Sequence, residues 1–341
     1  MAERLTVAVQ HDNLTLRPYR PGDEEGILAL FKRAYDRERS LAHWRWKFCQ
    51  NPAGQQIMLA VTQSGEIVGQ FAGLPTWAAK GQCSYLLSQA VDSMVDPRFR
   101  RGLKNPGLHV KLVRTFLRKY MGQDAGALVY GFPTPVAGRI LVGTGLGTVL
   151  HQVTELKRGL IGWLGTLSGR LASLRYQIKQ VSRFPSTVDR LWEQCRVELP
   201  FAIIRDARYL NWRYAHCPDV QYVKLLATER WTGQAAGVAV LRLSYGTWPV
   251  ALLVDWLVPR QPQNLAEALL EYCHAIAANS GQIRIKAWFP EYSHHFQFLK
   301  SKGYRATITP RELTVQAFHP ELCPEWIRGH WYYTMGDSDR C

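Results

Sequence analysis

The chain spells nearly the same phrase twice: HWRWKFCQNP at residues 43 to 52 and LNWRYAHCPD at 210 to 219, with Trp44-Arg45 answered by Trp212-Arg213. The matches continue downstream in the same order. Leu59-Ala60-Val61 with Ser64 to Gly69 is answered by Leu226-Ala227-Thr228 with Thr232 to Gly237. Each reads strand, glycine turn, strand, Gly65 and Gly233 supplying the positive φ of a tight hairpin. Gln89 to Arg98 is answered by Leu253 to Arg260, apolar strands ending in proline and arginine with Asp92 and Asp255 at the same point. A helical pattern follows each: Leu108, Leu112, Val113, Phe116, Leu117 and Tyr120 in the first, Leu265, Ala268, Leu269, Tyr272 and Ile276 in the second. Strands Ala127 to Pro133 and Ile283 to Pro290 close the units, and Gly145-Leu146 is answered by Gly303-Tyr304. Preservation of this order implies a duplicated strand–helix unit. The copies occupy 1–157 and 201–341, and 158–200 is a connector of different character. The Trp-Arg phrases themselves read as core packing.

At 341 residues, with 47% hydrophobic and 20% charged residues, the chain is long enough for two globular domains. No run of eighteen apolar residues exists, so no membrane-spanning helix is expected, and the N-terminal MAERLTVAVQHD is too short for a secretory signal. A cytoplasmic location is expected. The seven cysteines form no C-x-x-C pair, which predicts reduced, mostly buried thiols. No metal is expected either, because adjacent His294 and His295 do not easily aim at one ion. The net charge of +15 implies an anionic partner: a nucleotide-type cofactor, nucleic acid or a membrane surface. In the connector, Leu160, Leu164, Leu167, Leu171, Leu174, Ile178 and Val181 recur at helical spacing, with Arg170, Arg175, Lys179 and Arg183 between them. That pattern predicts an amphipathic helix packed on a domain, with peripheral membrane contact through 160–183 as the other reading.

The basic charge concentrates in VDPRFRRGLKNPGLHVKLVRTFLRK, residues 95 to 119. From Arg98 to Lys119 there are eight lysines and arginines and no acid. The segment leaves a strand at Pro97, passes Arg98, Arg100, Arg101, Gly102, Leu103 and Lys104, and enters a helix at Asn105-Pro106-Gly107-Leu108. Free amides at a helix start, glycines that admit a ligand and surrounding cations together make an anion site. The matching loop of the second copy, Pro259 to Asn264, has no glycine and one cation, with Glu267 and Glu271 behind it, and is expected to bind nothing.

Leu16 to Asp23 with Ile27, Leu30 and Phe31, then Val95 to Gly102, then Gly131 to Thr134 and on to Gly145-Leu146, together resemble the GNAT acyltransferase superfamily in a tandem two-domain form. The resemblance runs over 13–157 and more faintly over 205–310. It implies an α+β fold: each copy a twisted mixed sheet flanked by helices and split between its fourth and fifth strands. It also implies an acyl-coenzyme A, acetyl-CoA or another, whose thioester lies in the split and whose pyrophosphate lies near residues 100 to 108. The reaction implied is acyl transfer to the amine of a small molecule or peptide. Met94 and Val95 would offer backbone N–H groups to the oxyanion. Candidate bases, in sequence order, are Glu66, Asp92 and His109, and Asp92 has a counterpart in Asp255. Leu141 stands where many members carry a proton-donating tyrosine, which leaves Tyr130 as the candidate acid. The loop is also longer than usual, Gly102 and Gly107 lying five apart. Two other readings remain open: a non-catalytic binding protein, and an aminoacyl-tRNA-dependent peptide ligase, although nucleic acid is not the expected partner.

Overall fold

Short apolar runs rich in β-branched residues build the strands. In the computed structural model, which describes residues 14–100, 107–161, 175–244, 246 and 248–339, they form one 14-stranded sheet. The first half supplies β1 (Thr15–Pro18), β2 (Gln56–Val61), β3 (Ile67–Lys80), β4 (Cys83–Val95), β5 (Gly126–Gly131) and β6 (Thr148–Gly159). The second supplies β7 (Tyr176–Gln180), β8 (Phe201–Ile203), β9 (Tyr222–Glu229), β10 (Ala235–Arg242), β11 (Val250–Leu257), β12 (Arg284–Trp288), β13 (Arg305–Ala317) and β14 (Trp331–Tyr332). The expected hairpins are present, with Gly65 at φ 85° and Gly233 at φ 67° in the turns before β3 and β10.

Helices cover both faces. On one side of the first half lie α1 (Glu24–Tyr35), which buries Ile27, Leu30 and Phe31, and α2 (Leu41–Trp44). On the other side α3 (Leu108–Tyr120) sinks Leu108, Leu112, Val113, Phe116 and Leu117 against Met58, Ala60, Val68 and Phe71. Each such side chain contributes about 1.5–3 kcal/mol of burial. After β5 come α4 (Pro135–Gly143), then α5 (Thr187–Arg196) and α6 (Ala207–Leu210) of the second half. Last are α7 (Gln263–Asn279), α8 (His294–Ser301) and α9 (Pro324–Arg328). The apolar stripe on α7 is as expected at Leu265, Ala268 and Leu269, but Tyr272 is 40% exposed.

The strand order is β1-β2-β3-β4-β5-β13-β6-β12-β11-β10-β9-β7. The halves therefore exchange their last strands: β13 lies beside β5, and β6 lies beside β12, with β13 and β6 paired to each other. Both strands start just after the matched glycines, Gly145 and Gly303, each in the left-handed region.

The repeated phrases meet at the junction, in a register two residues away from the one the Trp-Arg match suggests. Ser40 and Asp206 cap α2 and α6 by accepting from His43 N and Tyr209 N. A π turn then follows in each, Arg45–Cys49 and Asn211–Ala215, closed by Gln50 N to Arg45 O and His216 N to Asn211 O at 2.9 and 3.0 Å. The equivalent tryptophans are thus Trp46 and Trp212. Their rings stack 5.8 Å apart, Trp46 Nε1 donates to Trp212 O at 2.7 Å, and Trp212 Nε1 donates to Trp46 O at 2.9 Å. The caps and the π turn, rather than the Trp-Arg dipeptide, set the geometry.

The connector also departs from expectation. Residues 162–174 lie outside the described part, and Tyr176–Gln180 is a strand paired with β9, not a helix carrying Ile178 and Val181 on one stripe. Tyr176 and Ile178 alternate with Gln177 and Lys179, so the same residues satisfy a period of two once an edge strand is available. The thiols are free among the described residues, as expected, but Cys49, Cys83 and Cys323 are exposed rather than buried.

Candidate active site

β4 and β5 run parallel and pair only from Leu86–Gly126 to Gln89–Tyr130. Beyond Gln89 the two strands part, and β4 continues to Val95 with β3 as its partner. At the parting lies a bulge: the register with β3 shifts between Gln70 and Ala72, and Asp92 adopts φ 44°. Past the bulge Asp96 N donates to Val68 O on the β3 side at 2.9 Å. Strand alternation then turns the Val95 N–H toward the open side and the Met94 N–H toward β3. Of the two expected oxyanion donors, Val95 is the one that faces the gap.

The first turn of α3 stands next to this edge. Gly107 caps the helix in an extended conformation, and among the described residues no atom lies within 4 Å of where a Cβ would project from it. That cap begins a 13-residue helix, whose opening amides have no intrahelical partners. Leu108 anchors that turn in the core, 6% exposed. Arg101, Gly102, Leu103, Lys104 and Asn105 lie outside the described residues. Arg100 is engaged by protein: its Nε donates to Val95 O at 2.9 Å and a terminal nitrogen to Ala34 O at 3.1 Å.

The expected bases are placed otherwise. Asp92 is buried, with Arg39 bridging it through both terminal nitrogens and Lys47 Nζ at 3.2 Å; Lys47 also reaches Asp339 at 2.7 Å. Burial alone would raise its pKa, but Lys47 and Arg39 outweigh burial and hold the carboxyl well below the usual range. Asp92 is a structural anion and a poor proton acceptor. Glu66 sits on the β2–β3 turn, across β3 from the gap, where it pairs with Arg98 and with Arg33 at 3.4 Å. Arg33 and Arg98 also hold Asp96, so Arg98 is committed as well. His109 faces Ser93, its Nδ1 3.0 Å from the hydroxyl, and burial lowers its pKa.

Tyr130 is 1% exposed and donates to Asp337 O at 3.2 Å, with Trp331 packed edge-on at 4.9 Å. Burial, then the nearby Asp337, pushes its pKa well above the ordinary value. It is a protonated, packed tyrosine at the end of β5, walled off by the C-terminal segment.

Beside the Asp92 cluster lies a pair that sequence order does not bring together. His43, on α2, has Nδ1 2.6 Å from Asp219 Oδ2, a carboxylate from the loop after the second π turn. Burial lowers the His43 pKa, Arg39 and Lys47 lower it further, and Asp219 opposes them. Arg39, His43 and Lys47 recur every four residues, and their flanking members both reach Asp92. The only trace in the sequence is that spacing; the partner lies 176 positions away.

The second half has the corresponding gap. β11 pairs with β12 only over Val250–Leu253, then runs on to Leu257. Here a turn at Met335–Asp337 fills the space: a Cβ on Gly336 would lie 2.9 Å from Val254 O and 2.0 Å from the Tyr214 hydroxyl. Asp255, the counterpart of Asp92, pairs with Arg205 at 2.8 Å as Asp92 does with Arg39, and Arg205 also binds Asp337 at 2.7 Å. The second half has a matching buried ion pair, and its gap is closed by the turn at Met335–Asp337.

No protein-family model matches the sequence, and no curated protein matches it by sequence. Solved structures do match by fold. A probable N-acyltransferase of Enterococcus faecalis V583 superposes with a TM-score of 0.66 at 14% identity, over 90% of this chain and 73% of that one. A GCN5-related N-acetyltransferase from Anabaena variabilis gives 0.65 at 10% identity, over 90% and 73%. The Saccharomyces cerevisiae N-myristoyltransferase solved with bound myristoyl-CoA gives 0.56 at 10% identity, over 90% and 79%. The chain has the fold shared by these GCN5-related N-acetyltransferases and N-myristoyltransferases, the GNAT fold.

Proposed function

We propose that the chain is an N-acyltransferase that moves an acyl group from acetyl-CoA or another acyl-CoA to the amine of a small molecule or peptide, using the β4–β5 gap of its first half. The observation that carries this reading is the contrast between the two gaps. Among the described residues, the first has a β4 edge that pairs with no strand on the β5 side beyond Gln89, the Val95 amide turned toward it, and no atom near the Cβ position of Gly107, whereas the second is filled by Met335–Asp337. In this reading the α3 amides, with the basic segment before them, hold the pyrophosphate. The Val95 N–H steadies the carbonyl oxygen as it becomes negative. The thioester supplies the activated acyl carbon, and the protein contributes position, charge and proton transfer.

Calorimetric titration with acetyl-CoA and myristoyl-CoA tests the site. In Gly107→Asp the new residue is itself a good helix cap, so the fold should survive, while its carboxylate opposes a phosphate. Affinity should fall at least tenfold there and in Arg101→Glu, and should be unchanged in Arg260→Glu. Equal effects of Arg101→Glu and Arg260→Glu would refute the assignment to the first gap.

A further inference from the structure

We propose that the His43–Asp219 pair is the proton acceptor for the attacking amine; this rests on the acyl-transfer reading above. An ionised carboxylate only accepts hydrogen bonds, so its 2.6 Å contact fixes the proton on Nδ1 and leaves the lone pair on Nε2. Among the described residues no group bonds Nε2, and the side chain keeps 20% of its surface open. Of the other candidates, Asp92 is engaged by Arg39 and Lys47, Glu66 by Arg33 and Arg98, and Tyr130 by Asp337 O, while His109 meets the Ser93 hydroxyl through Nδ1 rather than a carboxylate that would fix its tautomer. The groups facing His43 are Arg39 and Lys47 on its own segment and Asp219 from the second half. Beyond them, Asp339 lies on Lys47, and Arg213 lies over the Trp46 ring that packs against His43. Burial, then Arg39 and Lys47, lower the imidazole's pKa against the opposing Asp219, which favours the neutral form a base needs.

The step balances without a further reactant. The amine nitrogen bonds to the thioester carbon while its proton passes to His43 Nε2. The C–S bond then breaks, and the departing thiolate takes that proton from the imidazolium, which restores the neutral ring. Because Asp219 comes from the second half, the base is complete only when both halves are joined. The second half thus has a role in the first half's chemistry even though its own gap is filled.

The test uses the full chain with acetyl-CoA, following acylation of spermidine, tyramine and a glycine-terminated peptide, together with slow hydrolysis when no amine is present. His43→Gln should bind acetyl-CoA with unchanged affinity yet lose at least 100-fold in kcat by both readouts, and added imidazole should restore part of the rate to His43→Ala. Asp219→Asn should lose about tenfold and move the acidic limb of the kcat/KM profile to lower pH, since Asp219 raises the histidine pKa. A His43→Gln enzyme with the wild-type rate and pH limb would overturn the dyad while leaving the thioester site standing. So would wild-type protein that binds acetyl-CoA but neither acylates nor hydrolyses. Failure of the wild type to bind any thioester would instead remove the acyl-transfer reading, and the dyad with it.

Discussion

Asp92 shows how one residue can be found in a sequence and still be misread. Its position in an apolar strand and its match with Asp255 mark it as special, and a buried carboxylate is a natural candidate base. What the local sequence omits is Arg39, 53 positions earlier, which decides that the group stays ionised. Asp92→Asn leaves Arg39 and Lys47 buried without their anion. It should lower stability by about 3–5 kcal/mol in denaturant unfolding. The sign of the pH dependence follows from the lowered pKa. A carboxylate depressed in the folded state stabilises the protein above its unfolded pKa of about 3.9, and that contribution fades as pH falls toward the folded value. Wild-type stability should drop steeply below about pH 4, and the drop should be shallower in Asp92→Asn.

The paired π turns show how much of an element's geometry the sequence conceals. Helical spacing around residues 41–49 and 207–215 is legible, and so is the recurrence, but the extra residue per turn and the two-residue shift are not. They depend on which cap starts each helix and on the stacking of Trp46 against Trp212. Trp212→Phe should remove one of the two reciprocal donors and leave Trp46 O buried without a partner, costing about 1–3 kcal/mol. Trp46→Phe should cost a similar amount. The double variant should cost less than the sum, because the rings are in contact. The tail turn can be probed separately. Gly336→Ala forces a methyl group toward the Tyr214 hydroxyl and Val254 O, and should speed amide exchange over 332–339 while leaving α3 protected.

The recurring order of strand, glycine turn, strand and helix was legible because order survives where identity does not; the strand exchange was not, because nothing in β6 or β13 states which neighbour each will choose. All strand partners of β6 come from the second half, and β5 relies on β13 for one edge. A fragment of residues 1–157 should therefore lack a cooperative unfolding transition, as judged by circular dichroism, whereas the full chain should unfold as one unit. The basic charge and the helix start before α3 were legible, but not the commitment of Arg98 and Arg100 to protein partners, which only folding creates.

The turn at Met335–Asp337 has a thermodynamic corollary. A plug carried on its own chain competes at an effective concentration on the order of millimolar however far the protein is diluted. A diffusible thioester at micromolar levels does not displace it, so saturation binding should close at one equivalent per polypeptide, with no weaker second phase.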